Sequence, residues 1–263
     1  MMCQKCGAEM KVRKRKGVPD GVVWVCRHTV AGEECNSQRS LRFGSWFSCS
    51  KLTLEEIFIL TFEILNLRKT CEIGKSWKFS AQTLCDWRSF VCESMLDFVC
   101  EKSEKIGGKD KVVEIDESKF GKRKYNRGHR VEGQWVFGGV ERGTGRLFLV
   151  AVHDRSKETL MGCIEEWIES GTTIYSDGWK SYKDLGKEGF ENLTVNHSIN
   201  FVDSESSCHI NTIESTWRHV KASLPSYNRK CDFEFYLAVY MFYHFCVEVG
   251  EDPFNIFVEF IRN

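Results

Sequence analysis

The stretch KVVEIDESKFG, Lys111 to Gly121, decides how the rest of this chain is read. Its VVEID segment alternates and is rich in β-formers, which predicts a strand ending at Asp116. Successive strand residues face opposite sides, so Glu117 is expected to point away from Asp116. An aspartate that closes a strand is often only a turn former. Asp116 becomes more than that only if other polar groups reach it.

Working outward, QWVFGGVERGTGRLFLVAV predicts two antiparallel strands joined by a turn at Arg142 to Gly145. ETLMGCIEEWIES predicts a helix over about 158–169, and TTIYSDGWKSY a short buried strand ending at Asp177. LTVNHSINFV predicts a further strand. In HINTIESTWRHVK, His209 to Lys221, helical spacing puts Asn211, Glu214, Arg218 and Lys221 on one face. Ile213, Trp217 and Val220 fall on an adjoining apolar face. DFEFYLAVYMFYHFCV is an apolar helix expected to pack on the sheet. These readings give three strands, a helix, two strands and two helices: an α/β, ribonuclease-H-like mixed sheet with flanking helices.

In such a sheet the first and fourth strands are neighbours, so Asp116 and Asp177 can meet at their ends. A helix across the same edge brings Glu214 to them. Singly, each acid has an ordinary explanation as a turn residue or a surface charge. Their joint occurrence, in this order and on these element types, is what points to a site. Three converging carboxylates repel one another and raise their own pKa values. Divalent cations relieve that cost, and an all-oxygen set suits Mg²⁺ or Mn²⁺. Two such ions suit phosphoryl transfer.

Composition is that of an ordinary globular chain: 263 residues, 42% hydrophobic, 28% charged, three prolines and no internal repeat. No uncharged apolar run approaches the roughly 18 residues of a membrane helix, so no membrane partner is expected. The start, MMCQKCGAEM, has no apolar signal core, which points away from secretion. Thirteen cysteines without a signal sequence fit a reducing compartment rather than a disulfide framework. Formal charge is zero, yet cations cluster in KVRKRKG (Lys11 to Gly17) and GKRKYNRGHR (Gly121 to Arg130). Such runs are commonly solvated loops; flanking other signals, they are candidate phosphate contacts.

The chain divides by pattern into 1–50, 51–106 and 110–263. In 1–50, CQKCG is a knuckle-type turn whose Cys3 and Cys6 pair with Cys26 and Cys35 as candidate ligands for one structural Zn²⁺ in a small ribbon. The eight residues between Cys26 and Cys35 exceed the common spacing, and His28 is an alternative ligand; unmetallated thiols are the other reading. In 51–106, Thr53 and Glu56 form a capping box before a helix of about 54–68. Ser80 caps a second helix with Leu84, Trp87, Val91 and Phe98 as its apolar stripe. Two such helices fit a helix-turn-helix-like unit or an ordinary helical pair.

Taken together, VVEIDESKFGKRKYNRGHRVEGQWVFGGVER, IYSDGWKSY and VNHSINFVDSESSCHINTIESTWRHVK resemble the catalytic domain of Merlin-type DNA transposases and their bacterial insertion-sequence relatives in the DDE superfamily. With CDWRSFV and the cysteine region, the resemblance covers nearly the whole chain. Ile210 stands where the family form has threonine between His209 and Asn211. The resemblance implies a catalytic and metal-binding triad of Asp116, Asp177 and Glu214, with two Mg²⁺ or Mn²⁺ ions. It implies double-stranded DNA at Lys122, Arg123, Lys124, Arg127, Arg130, Arg218 and Lys221, and supporting roles for His209 and Asn211. The implied activity is cleavage and strand transfer at terminal inverted repeats by a homo-oligomer, in the nucleus of a eukaryote or the cytoplasm of a bacterium. The alternatives are a domesticated, non-catalytic zinc-ribbon DNA-binding protein and a metal-dependent nuclease without strand transfer.

Overall fold

The fold is that of a computed structural model, which describes residues 1–121, 133–177, 182, 185–186, 189–195, 209–224 and 233–262. The basic run Lys122, Arg123, Lys124, Arg127 and Arg130 lies outside them, as does most of the segment between the fourth and fifth expected strands. The chain forms two compact units, Met1–Val91 with Asp252–Asn263, and Cys92–Glu251.

The first unit opens with a three-stranded antiparallel sheet of β1 (Lys11–Lys14), β2 (Val22–Val25) and, beyond a small hairpin of β3 (Thr29–Val30) and β4 (Glu33–Glu34), β5 (Gln38–Ser40). β2 is the central strand. The hairpin accounts for the wide Cys26–Cys35 spacing. Ala31 (φ 52°) and Gly32 (φ 86°) turn it in the left-handed region, as a type I′ turn requires. The Cys35 amide then donates to the His28 carbonyl at 2.9 Å, returning Cys35 beside Cys26.

Helix α1 (Leu54–Leu65) starts at the expected capping box: Thr53 Oγ1 accepts from the Glu56 amide and Glu56 returns the bond to the Thr53 amide. It ends three residues early, at a left-handed Leu67. A polar helix that the sequence reading lacked, α2 (Thr70–Trp77), precedes α3 (Ala81–Lys102). Ser80 Oγ accepts from the Thr83 amide at the start of α3, and Leu84, Trp87, Val91 and Phe98 are buried.

The second unit holds β6 (Ile106–Gly107), β7 (Val112–Phe120), β8 (Gln134–Glu141), β9 (Leu147–Val152), α4 (Lys157–Trp167), β10 (Ile168–Glu169), β11 (Thr173–Asp177), β12 (Glu191–Val195), α5 (Asn211–Ser223) and α6 (Phe233–Val249). Its main sheet has the order β12-β11-β7-β8-β9. β11 runs parallel to β7 and β12, and β8 antiparallel to β7 and β9. The first and fourth long strands, β7 and β11, are therefore neighbours, as the ribonuclease-H-like reading requires.

Strand alternation divides β7 between two cores. Val113 and Ile115 pack with Leu160 and Ile164 of α4 on one face. Phe120 packs on the other with Ile213, Trp217 and Val220 of α5 and Leu237 of α6. The last helix, α7 (Pro253–Arg262), belongs to the first unit, where its Phe254 meets Phe58 and Phe62 of α1 edge-on.

Candidate active site

Glu114, Asp116 and Ser118 alternate onto the α5 face of β7, and each meets α5. Thr212 and Ile213 donate backbone N–H groups to Glu114 Oε2 at 2.8 and 3.1 Å. Trp217 Nε1 donates to Asp116 Oδ2 at 3.0 Å, and Lys221 Nζ to Ser118 Oγ at 2.6 Å. Two strand residues advance about 6.6 Å, and four to five helical residues advance about 6–7.5 Å. Strand and helix thus run side by side with matched repeats.

β11 brings the second acid. Thr173, Ile174 and Tyr175 pair with Val112, Val113 and Glu114. The pairing ends there; Asp177 and Asp116 each lie two residues further along their strands, and the charge of Asp177 reaches Asp116. Glu214 lies in the first turn of α5 and is half-buried, as are Asp116 and Asp177. The charges of Asp177 and Glu214 both act on Asp116. Burial is the main cause that raises Asp116 to about 6, and the charges of Asp177 and Glu214 add to it, against hydrogen bonds from Trp217 and the Glu117 amide.

Asp116 faces Gly138 of β8 across the sheet. A side chain at 138 would put its Cβ 2.8 Å from the edge of the Trp217 ring and 2.8 Å from Leu149 Cδ2. The glycine therefore makes the space in which the indole reaches Asp116. Glu117 points to the opposite face, where Tyr182 donates to it and Arg155 lies 3.9 Å away. Burial first, then the charges of Asp177 and Asp116, push Glu117 up to about 8 despite Arg155.

The expected supporting residues are placed as follows. His209 is half-buried, and its Nδ1 and carbonyl oxygen each receive the Arg142 guanidinium at 2.7 Å. Asn211 and Arg218 are exposed. Lys221 is bound to Ser118 and lies 5.2 Å from the centre of the Phe120 ring. Sequence reasoning missed Glu114 and Arg142 altogether.

Among the described residues, Cys3, Cys6, Cys26 and Cys35 are the one set of three or more possible ligands that gathers closely enough to share an ion, with all four sulfurs within 4.8 Å of one another; Asp116, Asp177 and Glu214 do not gather so closely. Cys3 Sγ lies 3.7 Å from Cys35 Sγ, and Cys6 Sγ 3.4 Å from Cys26 Sγ. A tetrahedral zinc with bonds of about 2.3 Å sets its sulfurs about 3.8 Å apart, so the cluster fits that ion. Burial opposes ionisation of Cys3, but the amides of Lys5 and Cys6 and the neighbouring thiols outweigh it and lower the thiol to about 6. His28 is exposed and supplies only its carbonyl oxygen, to Cys35.

A family model described as the ISXO2-like transposase domain matches residues 105–242, just over half of the chain and all of the main sheet. The chain belongs to the ISXO2-like transposase family. An uncharacterized transposase-like protein of Haemophilus influenzae is 31% identical to it over 94 residues, which are 35% of this chain and 75% of that one. Among solved structures, the catalytic core domain of BIV integrase is 16% identical, with a TM-score of 0.37 over 56% of this chain and 93% of that one. The HTLV-2 integrase catalytic core domain in complex with magnesium is 11% identical, with a TM-score of 0.33 over 54% and 88%. The ISXO2-like match spans β7, β11 and α5, the three elements that carry Asp116, Asp177 and Glu214.

Proposed function

We propose that this ISXO2-like transposase cuts DNA at the ends of its element and joins the freed ends to a target. The observation that carries the reading is the parallel pairing of β11 with β7, which brings Asp177 towards Asp116, together with the charges of Asp177 and Glu214 acting on Asp116. The donor set is all carboxylate oxygen, which suits Mg²⁺ or Mn²⁺. Trp217 Nε1 and the Glu117 amide both donate to the Asp116 carboxylate and orient it. Two ions held by Asp116, Asp177 and Glu214 would supply Lewis-acid activation of the attacking oxygen and stabilisation of the leaving one.

Two phosphoryl transfers follow. In the first, water attacks the scissile phosphate, the P–O3′ bond breaks and a 3′-hydroxyl is released. In the second, that hydroxyl attacks a target phosphate and expels a target 3′-oxygen. The chain's own residues fix the acids and hold the strands in register, with Trp217 orienting the Asp116 carboxylate.

DNA contacts are assigned to Arg218 and to Lys122, Arg123, Lys124, Arg127 and Arg130; Lys221 joins them once it exchanges Ser118 for phosphate. Zn²⁺ on the four cysteines would hold the ribbon, whose strand β1 exposes Lys11, Arg13 and Lys14 to a DNA backbone. Pairing of two ends calls for more than one copy of the chain.

The test is a cleavage and strand-transfer assay on the element's own ends with Mg²⁺ or Mn²⁺, comparing wild type with Asp177→Asn. Joined products from wild type alone support the reading. Cleavage without joining favours a nuclease. Binding with no metal-dependent product, the same in both proteins, leaves a DNA-binding module instead.

A further inference from the structure

α5 begins oddly for a helix that carries a reactive group. The residue before its first turn, Ile210, has no side-chain oxygen with which to cap it. The cap comes from another element. Glu114 of β7, with no exposed surface, accepts from the amides of Thr212 and Ile213 through Oε2 and from Thr212 Oγ1 through Oε1, at 2.9 Å. A carboxylate at this end also meets the positive pole of the helix dipole.

The charge of Glu114 is met by Arg142, whose Nε lies 2.6 Å from Oε1. The same guanidinium holds the side chain and carbonyl of His209 just before α5. It also lies over the Tyr175 ring of β11, 4.5 Å from its centre. One ion pair therefore touches β7, β11 and the approach to α5, the three elements that carry Asp116, Asp177 and Glu214. Glu114 stands two residues before Asp116, Tyr175 two before Asp177, and Thr212 two before Glu214.

We propose that Glu114 and Arg142 are positioning residues that set Glu214 against the two aspartates; this rests on the acid-triad reading above. Stability alone is a weak reason for such a pair, since buried ion pairs are often replaced by apolar groups at no cost. No apolar group can accept three directed hydrogen bonds at a helix start. Metal ligands tolerate only a few tenths of an ångström of error, and a first-turn glutamate moves with the amides that anchor that turn.

The test is a double-mutant cycle on the full zinc-loaded chain, with Mn²⁺ affinity read by electron paramagnetic resonance. Glu114→Gln puts an amide donor where donors already converge. It is expected to weaken Mn²⁺ binding ~10-fold or more when Glu214 is present, and by less than ~2-fold in a Glu214→Gln background. Hydrogen exchange should show faster opening of the amides of Thr212 and Ile213. Thr212→Val, which removes a single bond to Glu114, should give the same pattern at smaller size and decides the matter if Glu114→Gln does not fold. An equal loss in both backgrounds, or no loss, overturns the positioning role and leaves the triad standing. If Glu214→Gln alone does not weaken Mn²⁺ binding, the triad reading itself fails and this proposal with it.

Discussion

Trp217 shows how much of the candidate site depends on single atoms. Its ring packs in the α5 core against Phe120, while its one polar atom reaches Asp116. Only the missing side chain at Gly138 lets it do both. Trp217→Phe preserves the packing and removes the donor, and a hydrogen bond to a charged group is worth about 1.5–3 kcal/mol. End cleavage by Trp217→Phe is therefore expected to fall ~10- to 100-fold, with binding of the ends unchanged. Gly138→Ala should fall similarly, because the new methyl displaces the ring or Leu149. Single-turnover cleavage beside a binding titration checks both. Full cleavage by Trp217→Phe would mean that the indole is core filling and nothing more.

At the scale of elements, Glu141 ties the end of β8 to what precedes β7. It is almost fully buried and accepts from the Gly107 amide at 2.8 Å, from Lys111 Nζ at 3.0 Å and from Thr144 Oγ1 at 3.0 Å. Burial acts to raise its pKa, but these donors outweigh burial and hold it below the ordinary 4.5. A depressed acid stabilises the fold at pH values above its unfolded pKa and loses that contribution as pH falls through the folded value. Glu141→Gln should thus cost about 1–3 kcal/mol at neutral pH, a drop of several degrees in Tm. The gap should close as pH falls through the lowered folded value of Glu141, below which wild type is protonated as well. Thermal melts across that range measure it, and a gap independent of pH would show that lost packing, not lost charge, is responsible.

The same scale shows what the sequence could and could not disclose. β7, β8, β9, β11 and α5 were legible because their apolar spacing is local and strong; Asp177 ends β11 and Glu214 sits in the first turn of α5 as expected, but β7 runs past Asp116 to Phe120, so the strand end read at Asp116 was four residues early. α2 was not, since TCEIGKSW is short, polar and interrupted by Gly74. The β3–β4 hairpin hid inside a cysteine spacing, with only Ala31 and Gly32 to mark its turn. Glu114 reads in the sequence as one more polar residue in an alternating strand. Its partners lie 28 and 98 residues away, and no local pattern encodes a cap donated across that distance. The apolar Ile210 at the start of α5 was the one available hint.

For the molecule as a whole, zero net charge conceals a division of labour between units built in different ways. The second unit buries two apolar layers on either side of its sheet. The ribbon of the first has only a small cluster of Cys3, Met10, Cys26 and Cys35 in place of such a core, so a metal on its four cysteines is expected to supply most of what holds it. For so small a fold, metal binding and folding are one equilibrium. Chelation is therefore expected to release one zinc per chain and abolish amide protection in β1, β2 and β5. Protection in β7, β8 and β11, whose partners all lie within Cys92–Glu251, should persist. Binding of element ends should fall with the ribbon and return when zinc is restored, and Cys35→Ser should reproduce the loss without a chelator. Hydrogen exchange, zinc analysis and an end-binding titration on the same samples make the comparison. A zinc-free chain that kept β2 protected would show that the ribbon folds without metal, and one that unfolded the ribbon yet bound ends at full affinity would move DNA recognition to other residues.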